Sequence, residues 1–127
     1  MKISHVALWT RDLHAAALFW QTYFAAEVGE IYQSKRRKGF ASRFVTLPGN
    51  GAAIELMSGP WVEDGQASEQ VGWTHVAISL GSAEAVDTLA ARCQAAGLLM
   101  SGARTTGDGF YEAVIRTPDG IAIELTA

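Results

Sequence analysis

The sequence predicts an α+β fold made of two tandem βαβββ modules, whose mixed sheets curl into a half-barrel cavity. The first observation is an internal repeat, because the phrase around His5 recurs around His75 and the phrase around Glu55 recurs around Glu124. The second is the spacing, since 50 residues separate histidine from glutamate in the first copy and 49 in the second. The copies lie about seventy residues apart, which exceeds solenoid periods and indicates a duplicated module.

The composition is that of one compact domain. The chain has 127 residues, of which 49% are hydrophobic and 18% charged, and its net charge is −3. This negative charge argues against a nucleic-acid partner, because nothing offsets phosphate repulsion. The single cysteine excludes an intrachain disulfide framework. Without a long apolar run or an apolar signal core, we expect a cytoplasmic protein with no membrane partner.

The first module, 1–57, begins with a strand over 3–9 that contains His5. Asp12 is a typical N-cap, and the apolar residues after it recur at helical spacing. These residues are Leu13, Ala17, Trp20 and Phe24. Three further strands are predicted, at 28–33, 40–47 and 52–57.

A linker over 58–71, with proline, glycine and polar residues, leads to the second module, 72–127. The second module repeats the order, with a strand over 74–80 and then a helix, near 83–96, that Ser82 caps. The apolar side of this helix carries Val86, Leu89, Ala90 and Cys93. Strands are predicted at 98–103, 110–117 and 121–126.

Strand alternation predicts what surrounds the repeated histidines and glutamates. Side chains two positions apart share one face of a strand, and an alanine stands at that spacing from each repeated residue. These alanines are Ala7, Ala53, Ala77 and Ala122. The bulky aliphatic residues between them point to the opposite face, where they pack against the helices. Four ionisable side chains among small neighbours indicate a cavity rather than a core.

Two imidazoles and two carboxylates are suitable ligands for one divalent metal ion. A single histidine or glutamate on a strand is more often a hydrogen-bonded or solvent-facing group. Packing alone gives no reason to retain both residue types in both copies, and converging ionisable groups without a cation would be costly to desolvate. We therefore predict a metal site formed by His5, Glu55, His75 and Glu124.

With these residues, the Arg11-Asp12-Leu13 helix start and the Pro118-Asp-Gly120 turn, the chain resembles the vicinal oxygen chelate superfamily. Within that superfamily it looks most like glyoxalase I. The resemblance implies a glyoxalase-like fold and a homodimer, with modules paired within one chain or across two. It also implies one divalent metal ion per site. Nickel or zinc is favoured, and cobalt, manganese and iron also suit oxygen and nitrogen ligands.

The resemblance also implies an activity, because two histidines and two glutamates are the ligand set of glyoxalase I. The substrate of that enzyme is the hemithioacetal of glutathione and methylglyoxal. The metal stabilises an enediolate while a carboxylate moves a proton between adjacent carbons. By resemblance, Glu124 is the first choice for this base and Glu55 the second.

Two positions depart from the glyoxalase I pattern. Trp9 stands where that family typically has an arginine that grips a glutathione carboxylate, and Gly59 stands where asparagine is frequent. Both losses weaken the recognition of a tripeptide with two carboxylates, since charge-assisted hydrogen bonds supply much of its affinity. Trp9 either caps an apolar or aromatic substrate or fills the mouth of the barrel.

Further candidate substrate contacts are a basic turn and two aromatic residues. The basic turn consists of Lys35, Arg36, Arg37 and Lys38. Its charges either attract a carboxylate or phosphate, or remain solvated. Trp61 and Tyr111 are candidates for the pocket wall, with core or interface packing as the alternative. The sequence does not fix which face Glu112 occupies.

Three functions stay open at this point. The favoured one is a metal-dependent lyase or isomerase of the glyoxalase I type. The second is a metalloenzyme of the same superfamily with another substrate, such as a dioxygenase or thiol transferase, which the departures at Trp9 and Gly59 support. The third is a non-catalytic protein that binds a small molecule.

Overall fold

The computed structural model of the chain describes residues 3–49, 51–65, 71–107 and 109–127. The chain divides into two compact units, Met1–Gly65 and Gln66–Ala127. Each unit holds one helix and one mixed sheet. This arrangement confirms the predicted α+β class, and each sheet is open rather than closed on itself.

The first unit consists of β1 (His5–Trp9), α1 (Leu13–Phe24), β2 (Glu27–Val28), β3 (Tyr32–Gln33), β4 (Ala41–Thr46) and β5 (Ala53–Ser58). β1 pairs in parallel with β5, and β5 pairs antiparallel with β4. β2 and β3 both pair with β4. The parallel β1–β5 pair brings the start of the module beside its last strand, which is where the repeated histidine and glutamate lie.

The single strand predicted over 28–33 is wrong, because the structure divides this segment into β2 and β3. Gly29 lies at the break, and its N–H donates to the carbonyl oxygen of Phe44 over 2.8 Å. A Cβ atom at Gly29 would lie 3.1 Å from that oxygen. The Gly29 carbonyl accepts from Nη2 of Arg43 at 2.7 Å. The hydrogen bond continues the β2–β4 register by one residue. Between Val28 and Tyr32 the chain advances four residues while β4 advances three, so one extra residue separates the two pairings and the chain rejoins β4 as β3.

Asp12 caps α1, as predicted. Its Oδ1 accepts from the N–H groups of His14 and Ala15, over 2.9 and 3.0 Å, which satisfies two of the unpaired donors of the first turn. The helix ends at Ala25, which adopts the left-handed conformation with φ of 51°. The apolar face of α1, with Trp20 only 2% exposed, packs on β4 and β5.

The charge of the Asp12 cap makes the stability of the first unit depend on pH. The Ala15 N–H, aided by His14, holds the pKa of the Asp12 carboxyl below its ordinary value. A lowered folded pKa stabilises the fold above the ordinary aspartate pKa of about 3.9, and this contribution is lost as pH falls through the lowered value. We expect Asp12→Asn to unfold at a lower temperature than the parent chain near neutral pH. The difference should shrink in acid, and thermal melts that show a constant difference would contradict this cause.

The second unit repeats the order with β6 (Val76–Ser79), α2 (Ala83–Ala95), β7 (Leu99–Thr105), β8 (Tyr111–Arg116) and β9 (Ala122–Thr126). β6 pairs in parallel with β9, and the sheet order is β6-β9-β8-β7. Oγ of Ser82 accepts from the Ala85 N–H at 3.2 Å and caps α2, as predicted. The βαβββ order of the second module is therefore confirmed element by element.

Both sheets keep their aliphatic residues on one face. Ile54 and Leu56 are 1% and 0% exposed on β5, and Ile123 and Leu125 are 1% and 0% exposed on β9. Each pair flanks one of the repeated glutamates in the sequence, so alternation points the glutamate to the other face. The prediction that bulky residues and ligand candidates occupy opposite faces is met in both units.

The predicted linker, 58–71, begins inside the first unit. β5 continues to Ser58, Nη1 of Arg11 lies 2.6 Å from Oδ1 of Asp64, and the unit extends to Gly65. Residues 66–70 of the linker lie outside the described residues. Neither helix in the described parts of the chain is long and apolar enough to cross a membrane.

Candidate metal centre

The first ligand pair lies on the parallel strands β1 and β5. His5 is opposite Ala53, and Glu55 is opposite Ala7, two positions further along. Nε2 of His5 lies 3.8 Å from Oε2 of Glu55, with the side chains 42% and 21% exposed. The sheet register alone brings these residues together, although 50 positions separate them in the sequence.

The second pair has the same geometry in the other unit. Glu124 is opposite Ala77, and Nε2 of His75 lies 3.5 Å from Oε2 of Glu124, with the side chains 43% and 18% exposed. Nδ1 of His75 is 2.9 Å from Oγ1 of Thr74. When Nδ1 carries the proton and donates to that oxygen, Nε2 is unprotonated, and its lone pair on the side of Glu124 can bind a metal ion.

The donor atoms of both pairs suit a divalent cation. Two ligand atoms that each lie about 2.1 Å from one ion are roughly 3.0–3.4 Å apart. The observed nitrogen–oxygen separations of 3.8 and 3.5 Å are slightly longer than this range. A small rotation of either side chain would be enough to close the difference. Within the described residues, no group of three or more His, Cys, Asp or Glu side chains is found that could hold a metal. Each unit therefore offers two ligands, which is an incomplete set for a tightly held ion.

The surroundings of the two pairs differ. In the first unit Phe44 on β4 is opposite Glu55, and its ring meets the His5 ring edge-on with centroids 5.4 Å apart. In the second unit the same place opposite Glu124 is taken by Val114. Alternation along β1 and β5 indicates the small alanines on these faces but not Phe44, because the register of a third strand, β4, is needed to place that residue.

Five candidate substrate contacts of the first unit are divided between two places. The guanidinium carbon of Arg37 lies 4.0 Å from the ring centroid of Trp61 and 5.8 Å from that of Trp9. These three predicted residues are therefore brought together beyond the end of β1. Lys35 and Arg36 are exposed on the turn, and in the described part of the chain their side chains make no hydrogen bond, ion pair or cation–π contact with this group.

Tyr111, for which the sequence left pocket wall and packing open, does not lie on the face that holds Glu124. Its hydroxyl donates to Oδ1 of Asp87 on α2 over 2.7 Å. Tyr111 therefore lies on the helix-covered face of the sheet. This hydrogen bond also raises the pKa of the Tyr111 hydroxyl, since the neutral phenol is the donor.

Glu112, unlike Tyr111, lies on the face of the sheet that carries Glu124. It is opposite Thr126, two positions along from the Val114–Glu124 pair. It is 9% exposed, and its Oε1 lies 3.3 Å from Nη2 of Arg104. The ion pair with Arg104 neutralises the second carboxylate on the strands of this sheet, so Glu124 is the carboxylate left beside His75.

Comparisons with known proteins agree with this architecture. The sequence model of the Glyoxalase/Bleomycin resistance protein/Dioxygenase superfamily matches residues 2–125. A comparison with curated proteins finds none that matches the chain significantly. Among solved structures, a glyoxylase/bleomycin resistance protein/dioxygenase domain from a Frankia species has 22% identity and a TM-score of 0.84, with 99% of this chain and 90% of that one covered.

Two further solved structures share the fold at low identity. The fosfomycin resistance protein FosX of Listeria monocytogenes, solved with Mn(II) and sulfate, has 24% identity and a TM-score of 0.73, covering 99% of this chain and 91% of its own. The trypanothione-dependent glyoxalase I of Leishmania major has 19% identity and a TM-score of 0.76, covering 99% and 86%. At these identities the likeness shows the fold and leaves the reaction to be argued from the site.

Proposed function

Because the chain belongs to the Glyoxalase/Bleomycin resistance protein/Dioxygenase superfamily, we propose that it is a metal-dependent lyase or isomerase of the glyoxalase I type. The observation that carries this proposal is the duplicated pair. In both units a parallel strand pair places an imidazole nitrogen within 4 Å of a carboxylate oxygen, at 3.8 and 3.5 Å. Packing alone does not explain why both units retain the same chemistry on the face away from the helix.

The proposed ion is held by His5, Glu55, His75 and Glu124 together, since each unit supplies only two ligands. The two modules of one site come from one chain or from two subunits, and we propose a homodimer with one ion per chain. Nitrogen and oxygen donors without sulfur suit nickel or zinc, and also cobalt, manganese and iron. Mn(II) is the metal in the FosX structure.

The divalent ion would supply Lewis acidity, which lowers the energy of negative charge on substrate oxygens when a neighbouring carbon loses its proton. In our proposal Glu124 takes that proton and returns it to the adjacent carbon, and Glu55 is the second choice for this role. Thr74 keeps the His75 ring oriented through its 2.9 Å contact with Nδ1. The substrate considered first is the hemithioacetal of glutathione and methylglyoxal.

The formation of lactoylglutathione tests this proposal. The chain is freed of metal with a chelator and then reconstituted separately with nickel, cobalt and zinc. We expect turnover of the hemithioacetal with at least one ion, and none in the metal-free protein. If no ion restores turnover although the protein binds it, the glyoxalase I reaction is excluded and the metal site stands.

A second candidate function is an oxygenase or thiol transferase of the same superfamily. It is favoured by the group around Trp9 and Trp61, which occupies the side of the sheet where glyoxalase I typically carries carboxylate-binding residues. Oxygen uptake with catechols by the iron-loaded protein would select the oxygenase. A third candidate, a non-catalytic binding protein, predicts a thermal stability that a chelator leaves unchanged.

A further inference from the structure

A cluster of three aromatic rings and one arginine lies on the first unit, beyond the ligand pair. It consists of Trp9, Arg37, Phe40 and Trp61, and we name it the aromatic–arginine cluster. Trp9 shares a strand face with His5, four positions earlier on β1. At about 3.3 Å per residue, the two Cα atoms are roughly 13 Å apart. An elongated small molecule of about that length therefore reaches from the cluster to the His5–Glu55 pair.

Arg37 is held by stacking rather than by an acidic partner. Its guanidinium carbon lies 4.0 Å from the Trp61 centroid, and 5.8 Å from the centroids of both Trp9 and Phe40. Stacking uses the flat face of the guanidinium and leaves its N–H donors free at the edge. Within the described residues Arg11 and Arg104 pair with carboxylates, whereas the Arg37 side chain has no ion pair.

The backbone leaves room for the Trp61 ring in this place. A Cβ atom at Gly59 would lie 2.5 Å from the ring, and one at Gly39, which has φ of 86°, would lie 2.8 Å from Pro60. The exposed Arg11–Asp64 ion pair, at 2.6 Å, connects the segment after Trp61 with the residues just before α1. The cluster is therefore assembled before any ligand arrives, which lowers the entropy lost on binding.

We propose that the aromatic–arginine cluster binds the aromatic carboxylate end of the substrate. The carboxylate accepts two hydrogen bonds from the edge of Arg37, and the ring packs against the indoles of Trp9 and Trp61, which are 40% and 38% exposed. A single oriented guanidinium beside two half-exposed indoles fits one planar acid better than a flexible tripeptide with two carboxylates. This inference rests on the proposed function in one respect. It assigns the other end of the same substrate, away from the aromatic carboxylate, to the metal site that includes His5 and Glu55.

Binding is tested without metal, so that it is independent of turnover. Benzoate is titrated into the full chain in the presence of a chelator, and NMR follows the indole N–H signals, assigned with Trp9→Phe and Trp61→Phe. We expect saturable shifts of the Trp9 and Trp61 signals and none for the buried Trp20. Benzamide, which has the same shape without the charge, should bind about tenfold or more weakly.

Variants assign the binding to Arg37. Arg37→Gln should weaken benzoate by about 10- to 100-fold, whereas the neighbouring Arg36→Gln serves as a matched control and should leave the affinity unchanged. Gly59→Ala, which displaces the Trp61 ring while keeping the charge of Arg37, should also weaken binding. Glu55→Gln should bind benzoate normally even if it removes the metal, so failure of the metal site would leave this result intact.

Three results would overturn the proposal. The first is no saturable shift with benzoate in the parent chain. The second is an equal loss of affinity for Arg36→Gln and Arg37→Gln, which would indicate general attraction by the basic turn. The third is binding of acetate as tightly as benzoate, which would leave the aromatic rings without a role in recognition.

Discussion

Turnover should fall by about 10²- to 10⁴-fold when Glu124 is replaced by Gln, which is the usual loss when a positioned proton-transfer group is removed. The amide keeps the shape of the side chain but cannot take a proton from carbon. In the structure Glu124 is the less exposed member of its pair, at 18% against 43% for His75. The measurement is the rate of lactoylglutathione formation by metal-loaded protein, with metal content determined on the same sample.

The matched control for this variant is Glu30→Gln, because Glu30 is exposed in the turn between β2 and β3. It should leave the rate within experimental error. A Glu124→Gln protein that retains its metal and more than a tenth of its rate would show that Glu124 is not the base. Glu55→Gln then becomes the variant that must lose activity.

Truncation of Leu56 to Ala should destabilise the fold by about 2–5 kcal/mol, the range for buried Leu→Ala changes. Leu56 is 0% exposed and is opposite Leu8 on β1. It follows Glu55 directly, so it fixes the helix-side packing of the strand that presents this ligand. Urea unfolding at equilibrium, followed by tryptophan fluorescence, measures the free energy of unfolding.

Leu18→Ala is the matched control, because it makes the same chemical change on the outer side of α1. Leu18 is 51% exposed, and Ala is at least as good a helix former, so we expect a change within about 0.5 kcal/mol. Equal losses for the two variants would show that the face opposite Glu55 is not the stabilising core of this unit.

Most of the fold follows from patterns that are local in sequence. The signals that predict it each extend over a few residues: the Asp12 and Ser82 caps, the helical spacing of apolar residues and the alternation around the glutamates. Because the pattern occurs in two copies, each copy supports the order of elements predicted for the other. The break at Gly29 could not be predicted in this way. It depends on a one-residue shift in the pairing with β4, which belongs to another part of the sequence, and on strands of only two residues.

The repeat in the sequence predicted that each histidine lies near its glutamate, but it carried no information about the residues around these pairs. His5 and Glu55 meet because β1 and β5 are parallel, and the repeated spacing already indicated the equivalent meeting of His75 and Glu124. The sequence left pocket wall and packing open for Tyr111, since a one-residue uncertainty in strand register inverts every side chain. The stack of Arg37 on Trp61 could not be predicted from the sequence, because the two residues lie on separate loops that only the fold brings together.

We propose that two imidazole–carboxylate pairs, one in each module, hold one ion jointly. The most direct test is elemental analysis with equilibrium titration of zinc or nickel into the parent chain, His5→Ala and His75→Ala. We expect one tightly bound ion per parent chain, and loss of tight binding in either variant alone. Two ions per parent chain, with one retained after each substitution, would show that the pairs act separately, and no tight binding to the parent chain would remove the metal centre.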